Sequence, residues 1–159
     1  MKKEIKISFE VMSGRDALDE TEKKLFDAAF AAREKAYAPY SQFYVGCALL
    51  LDNGVIATGS NQENAAYPSG LCAERTTVYW SSANYPGVSI KKIFVIGAPK
   101  NAITSLPVSP CGACRQSILE YEAAQKENIE LYFASINGEI YKTASVRDLL
   151  PFSFDASFL

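Results

Sequence analysis

Two short segments carry the chemistry of this chain: Cys72-Ala73-Glu74 and Pro110-Cys111-Gly112-Ala113-Cys114. Residues three apart on a helix share a face, so Cys111 and Cys114 can grip one ion together. Pro110 suits a helix start, where its missing N–H costs nothing. The positive end of the helix dipole there favours thiolate over thiol. Cys72, opening a second helix, completes a three-sulfur set. Three protein ligands leave a fourth position for water, which is the catalytic pattern for zinc. A carboxylate such as Glu74, placed beside the metal and not on it, could take a proton from water that zinc has made acidic. Two positions along a regular helix rotate a side chain by roughly 200°. Cys72 and Glu74 can therefore serve one site only if Cys72 lies at the cap, before regular helical geometry begins.

Other readings of these residues stand beside this one. Taken alone, Cys111 and Cys114 fit a redox pair or a structural zinc knuckle equally well. A redox pair leaves Cys72-Ala73-Glu74 unexplained, and a structural zinc wants four closed ligands. The fourth cysteine, Cys47, sits mid-strand among Val45, Gly46, Ala48 and Leu49 and reads as a buried core residue. Glu74 by itself would be a solvated helix charge. The chain has no histidine, which excludes a Ser-His-Asp or Cys-His site within one chain. A proton shuttle must then be Glu, Asp, Lys, Tyr or Cys.

The elements that must position these groups follow from periodicity and breaks. Residues 5–12 alternate like a short strand. Residues 16–37 lack Gly and Pro and place Leu18, Leu25, Ala29, Ala32 and Ala36 at helical spacing. Pro39 ends that helix. Phe43 to Leu51 and Val55 to Gly59 are strands joined by the Asp52-Asn53-Gly54 hairpin signal. A polar loop over 60–71 leads to a helix from Cys72 to about Ala83. Lys92 to Ala98 is a buried strand, and residues 99–110 form a loop with Pro99, Pro107 and Pro110. A helix then runs from Cys111 to about Lys126. Ile129 to Ser135 and Glu139 to Lys142 are strands, and Ser145 caps a short helix to Leu150. This order predicts an α/β sandwich with a mixed sheet, whose ligands sit where helices begin beyond strand ends.

The 159 residues fit one domain, 1–159, and 48% apolar content supports a substantial core. A net charge of −2 argues against a nucleic-acid partner, which needs a basic surface. No run approaches the ~20 apolar residues that span a bilayer. The alternating start lacks the apolar stretch of a signal peptide, so a cytoplasmic location with reduced cysteines is expected.

The motifs resemble those of the small homotetrameric zinc-dependent cytidine deaminases, from about Tyr40 to Phe154. The matching segments are Tyr40-Ser41-Gln42-Phe43-Tyr44-Val45-Gly46, Asn61-Gln62-Glu63-Asn64-Ala65-Ala66-Tyr67, Cys72-Ala73-Glu74-Arg75-Thr76 and Ser109-Pro110-Cys111-Gly112-Ala113-Cys114-Arg115-Gln116. The resemblance implies a three-layer α/β/α sandwich with a mixed five-stranded sheet. It implies one Zn²⁺ per chain on Cys72, Cys111 and Cys114, no organic cofactor, and Glu74 as the proton carrier. Cytidine or deoxycytidine would become uridine or deoxyuridine with release of ammonia, a step of pyrimidine salvage. Another aminopyrimidine nucleoside such as blasticidin S is the alternative substrate. Asn61 and Glu63 are implied to bind the ribose hydroxyl, Phe43 to pack on the pyrimidine and Ala73 to border the substrate. Tyr67 and Phe154 are implied to reach a neighbouring subunit's pocket in a homotetramer. Arg75 has an electrostatic role, because three thiolates outweigh one Zn²⁺ and an arginine donating to a sulfur withdraws the excess. The chain departs from the resemblance at Cys47, at Asp155 after Phe154, and in extra length near Tyr79 to Val88.

Overall fold

Asp19 and Glu22 open the first helix, α1 (Glu20–Arg33), with a reciprocal capping box: the Glu22 N–H donates to Asp19 at 2.7 Å and the Asp19 N–H donates to Glu22 at 3.0 Å. The computed structural model describes residues 1–102 and 104–159; Ile103, within the loop expected over 99–110, lies outside the described residues. The helix is shorter than the 16–37 expected. The box sets its start, and the backbone of Tyr37 bridges to Gln62 instead of extending the helix.

After the turn that follows α1 come two antiparallel strands, β2 (Phe43–Leu51) and β3 (Ile56–Ser60). Their hairpin needs a left-handed residue, and Gly54 supplies it with φ +84°. Helix α2 (Ala73–Asn84) follows, then strand β4 (Ile90–Pro99), helix α3 (Gly112–Gln125), and strands β5 (Glu130–Ala134) and β6 (Ile140–Thr143). Ahead of all of these lies β1 (Glu10–Met12), antiparallel to β6, with Glu10, Val11 and Met12 opposite Lys142, Tyr141 and Ile140. The short element expected from Ser145 is a 3₁₀ turn, Val146–Leu149, whose Ser145 hydroxyl accepts the Arg147 N–H at 3.1 Å.

The strand order is β1-β6-β5-β4-β2-β3. Among the strands of the described residues, β4 and β5 pair in parallel and the remaining strand pairings are antiparallel. The sheet is mixed, as expected, but it has six strands and not five. The sixth is β1, which exists through three residues of pairing with a strand far away in sequence.

Strand alternation sorts the core into two layers. Cys47, Leu49, Ile93, Val95, Leu131 and Phe133 pack with Val78, Ile118 and Leu119 on the α2 and α3 side. Ala48, Phe94, Ile96, Tyr132 and Ala134 pack with Leu25 and Ala29 of α1 on the other. Each fully buried Leu, Ile or Phe contributes about 1.5–3 kcal/mol. At Gly46 the contact with α1 is backbone to backbone: a Cβ there would stand 1.9 Å from the Ala29 carbonyl oxygen. The result is an α/β/α sandwich. Both β3 and β4 end at one rim, and α2 and α3 both begin there. Among the described residues no helix is long and apolar enough to cross a membrane.

Candidate active site

Cys72 and Cys111 occupy equivalent positions. Each is the N-cap of its helix, α2 or α3, with extended backbone (φ −68°, ψ 157° and φ −68°, ψ 165°). The geometric condition for Cys72 and Glu74 to share a site is therefore met. The α3 helix begins one residue later than expected, so Pro110 precedes the cap and does not form the first turn. Neither cap side chain accepts from the backbone N–H groups of its own helix, which leaves the sulfurs beside uncapped first-turn N–H groups and the positive dipole end.

The Sγ atoms of Cys72, Cys111 and Cys114 all lie within 4.8 Å of one another. Zinc–sulfur bonds of about 2.3 Å in a tetrahedron place two sulfurs about 3.8 Å apart, and Cys72 and Cys111 are separated by 3.8 Å. All-sulfur donors, this spacing and three ligands fit a zinc with one open position. The Cys114 thiol beside it, with further help from Arg75, pulls Cys72 down to about 5. The Arg75 guanidinium approaches the Cys72 sulfur at 3.9 Å.

Glu74 is 4% exposed. Burial pushes its carboxyl up to about 7, and the negative Cys72 sulfur adds to the rise. Cys47 lies in the core against α2, its thiol pushed up by burial.

A cavity of about 430 Å³ opens beside this cluster, lined by Tyr40, Ser41, Asn61, Glu63, Tyr67 and Cys72 among others, with Arg75 at its edge. Its walls are knitted by main chain. Gln62 and Leu71 exchange N–H···O bonds of 2.9 Å, Tyr37 donates to Asn61 at 3.0 Å, and Glu63 donates back to Tyr37 at 2.9 Å. The Asn61 amide extends the β2 ladder by accepting the Val45 N–H at 2.8 Å and donating to the Phe43 carbonyl at 2.9 Å. One N–H and one lone pair remain on it. Glu63 accepts the N–H groups of Tyr40 at 2.9 Å and Ser41 at 3.2 Å, and the Ser41 hydroxyl as well. That hydroxyl, first among its partners, holds Glu63 below the usual carboxylate range.

The site residues expected from the sequence thus divide. Asn61, Glu63, Tyr67, Cys72 and Arg75 share the cavity, and Cys111 and Cys114 join Cys72. Phe43, Ala73, Glu74 and Phe154 are not among its walls. Phe43 opens β2 facing Gly97. Ala73 is fully buried in the core. Phe154 is 57% exposed and stacks on Phe158 at 5.4 Å. Tyr40 and Ser41 line the cavity although their residue types alone suggest no role there. Their signal was the Pro39 break, which turns the chain towards Glu63.

The description "Cytidine and deoxycytidylate deaminase zinc-binding region" belongs to the family model that matches residues 19–127. That span holds the three cysteines, Glu74, Asn61 and Glu63. The cytidine deaminase of Sporosarcina psychrophila is 43% identical over 133 residues, covering 83% of this chain and 90% of that protein. The cytidine deaminase of Halalkalibacterium halodurans is 40% identical over 134 residues, covering 83% and 92%. The crystal structure of cytidine deaminase from Burkholderia pseudomallei superposes with a TM-score of 0.73 at 41% identity, covering 86% of this chain and all of that one. With its three-sulfur cluster, its sandwich fold and these likenesses, the chain belongs to the zinc-binding cytidine and deoxycytidylate deaminase family.

Proposed function

We propose that this chain hydrolyses cytidine and deoxycytidine to uridine and deoxyuridine with release of ammonia. The observation that carries the reading is the set of three converging sulfurs on two helix starts, with a buried carboxylate two residues after the first. Cys72, Cys111 and Cys114 would hold a zinc ion, which when bound would supply the Lewis acidity that makes water reactive at neutral pH. Glu74 accepts the proton from that water as its oxygen adds to C4, and passes it to ring N3. Glu74 then delivers the second water proton to the amino group, the C4–N bond breaks, and ammonia leaves. Burial raises the Glu74 carboxyl above the ordinary carboxylate range, the direction that suits a group which must both accept and return a proton near neutrality. Arg75 offsets the negative charge of three thiolates from its position at the Cys72 sulfur.

Asn61 uses its remaining donor and acceptor, with Glu63, on the ribose hydroxyl. The roles of Phe43 on the pyrimidine face and Ala73 at its edge rest on the motif resemblance alone, since neither residue lines the cavity. Tyr67, 74% exposed, and Phe154 are open to contact a second copy, which supports a homotetramer with shared sites. The substrate is a free nucleoside met in the cytoplasm.

The test combines metal analysis with absorbance loss and ammonia release on cytidine, deoxycytidine and blasticidin S. One zinc per chain and turnover of the first two are expected. Glu74→Gln should keep zinc and lose at least ~10²-fold in turnover. Release of ammonia from blasticidin S alone would move the substrate, and substantial activity in Glu74→Gln would remove Glu74 from the proton path.

A further inference from the structure

The two cap cysteines are delivered to the cluster by differently built approaches. Before Cys72, the main chain is pinned by the reciprocal Gln62–Leu71 bonds. Before Cys111, Pro107 and Pro110 have no N–H to give. Among the described residues the backbone bonds of that stretch to the sheet are few, the nearest to Cys111 being Val108 N–H to Ala134 at 3.3 Å. A side chain takes over. Arg115 donates from Nε to the Pro110 carbonyl at 2.8 Å, from Nη2 to the Ser109 hydroxyl at 2.8 Å, and from Nη1 to the Leu149 carbonyl at 2.9 Å.

The Pro110 carbonyl belongs to the peptide plane that leads into Cys111. Holding that oxygen fixes the plane, and with it the direction in which the Cys111 side chain leaves the backbone. The third arm makes the grip external to the loop. Leu149 ends the 3₁₀ turn, and that turn is itself tied to α3 by Glu122, which accepts the Val146 N–H at 3.0 Å and the Ser145 hydroxyl at 2.6 Å. A planar guanidinium with donors in a fixed fork suits this geometry, and a lysine cannot reproduce it.

We propose that Arg115 is a positioning residue for the metal centre: it clamps the Ser109–Pro110 approach to the Leu149 turn and so sets the Cys111 sulfur for zinc. The inference rests on the three-cysteine zinc site proposed above. Removal of groups that orient metal ligands weakens binding by roughly 10–100-fold.

The experiment measures zinc affinity by competition with a chromophoric chelator, and the visible spectrum of the Co²⁺-substituted protein, whose bands report ligand geometry. Arg115→Ala should weaken zinc by roughly 10–100-fold and shift the cobalt bands. Arg115→Lys should recover only part of this. Ser109→Ala, which removes one arm and keeps the guanidinium, should move both readouts the same way by a few-fold. Arg147→Ala, which breaks the 2.8 Å contact with Asp155 in the same C-terminal segment, should leave both unchanged. Unaltered affinity and cobalt spectrum in Arg115→Ala overturn the inference, and so does an equal loss in Arg147→Ala. Wild-type protein that takes up no zinc removes the inference together with the site it rests on. Zinc-loaded wild type beside an indistinguishable Arg115→Ala removes the inference alone.

Discussion

Glu74 shows how a single side chain acquires a function from its surroundings. A glutamate at the second position of a helix is ordinarily solvated. This one is buried against Cys72, and its carboxyl is raised from 4.5 to about 7. The folded state therefore holds a proton that the unfolded state releases between those values. Its contribution to stability is complete below about 4.5, falls as pH rises through 7, and stays lost above it. At 1.36 kcal/mol per unit the penalty approaches about 3 kcal/mol. Cys72, lowered to about 5, acts in the opposite sense as pH rises above that value, so the comparison must subtract it. In metal-free protein, urea unfolding at pH 5 and pH 8 should show wild type losing up to about 3 kcal/mol relative to Glu74→Gln. A pH-independent difference would mean that the carboxyl titrates normally. The pairing of Glu74 with three cysteines was legible from residue types alone. Its burial was not, because burial depends on β2 and α2 meeting across a sheet.

Among the elements, α1 is held by a residue used twice. One oxygen of Glu22 closes the capping box; the other accepts the Tyr132 hydroxyl at 2.6 Å and Lys92 at 3.1 Å. Asp19→Ala should cost about 1 kcal/mol, the ordinary worth of a cap. Glu22→Ala should cost about 2–3 kcal/mol, because it also removes a charged acceptor from Lys92 and Tyr132, although Glu130 still accepts from them at 2.9 and 2.7 Å. Urea denaturation of the two variants reads the difference, and equal losses would reduce Glu22 to a cap. The Asp-x-x-Glu box was visible in the sequence and would have placed the helix start at Glu20; periodicity alone carried it four residues too far. The strands β2 and β4 were read closely because their apolar runs and the Asp-Asn-Gly turn are local signals. The pairing of β1 with β6 was not, since three residues have too little pattern to name a partner about 130 positions away.

For the whole molecule, the same distinction separates what one chain displays from what the proposed assembly would need. The cluster and the Asn61–Glu63 cavity form within a single copy, whereas Phe154 lies away from that cavity, on α3, where its carbonyl accepts from Gln116 at 2.8 Å. Local motifs reach the first group; a contact with a second copy would leave no periodicity to read. Neither buried layer contains a ligand cysteine. Small zinc domains fold only with their ion; here the apolar clusters on both faces of the sheet are built from residues other than the ligand cysteines. Chelation should abolish turnover, leave the far-ultraviolet circular dichroism and cooperative unfolding in place, and be reversed by added zinc; a collapse of the folded signal would make the ion structural. On the expected outcome the ion enters a socket that the rest of the fold has already built. The same molecule could then be charged, emptied and charged again, and working enzyme would be set by the supply of metal and not only by the making of new chains.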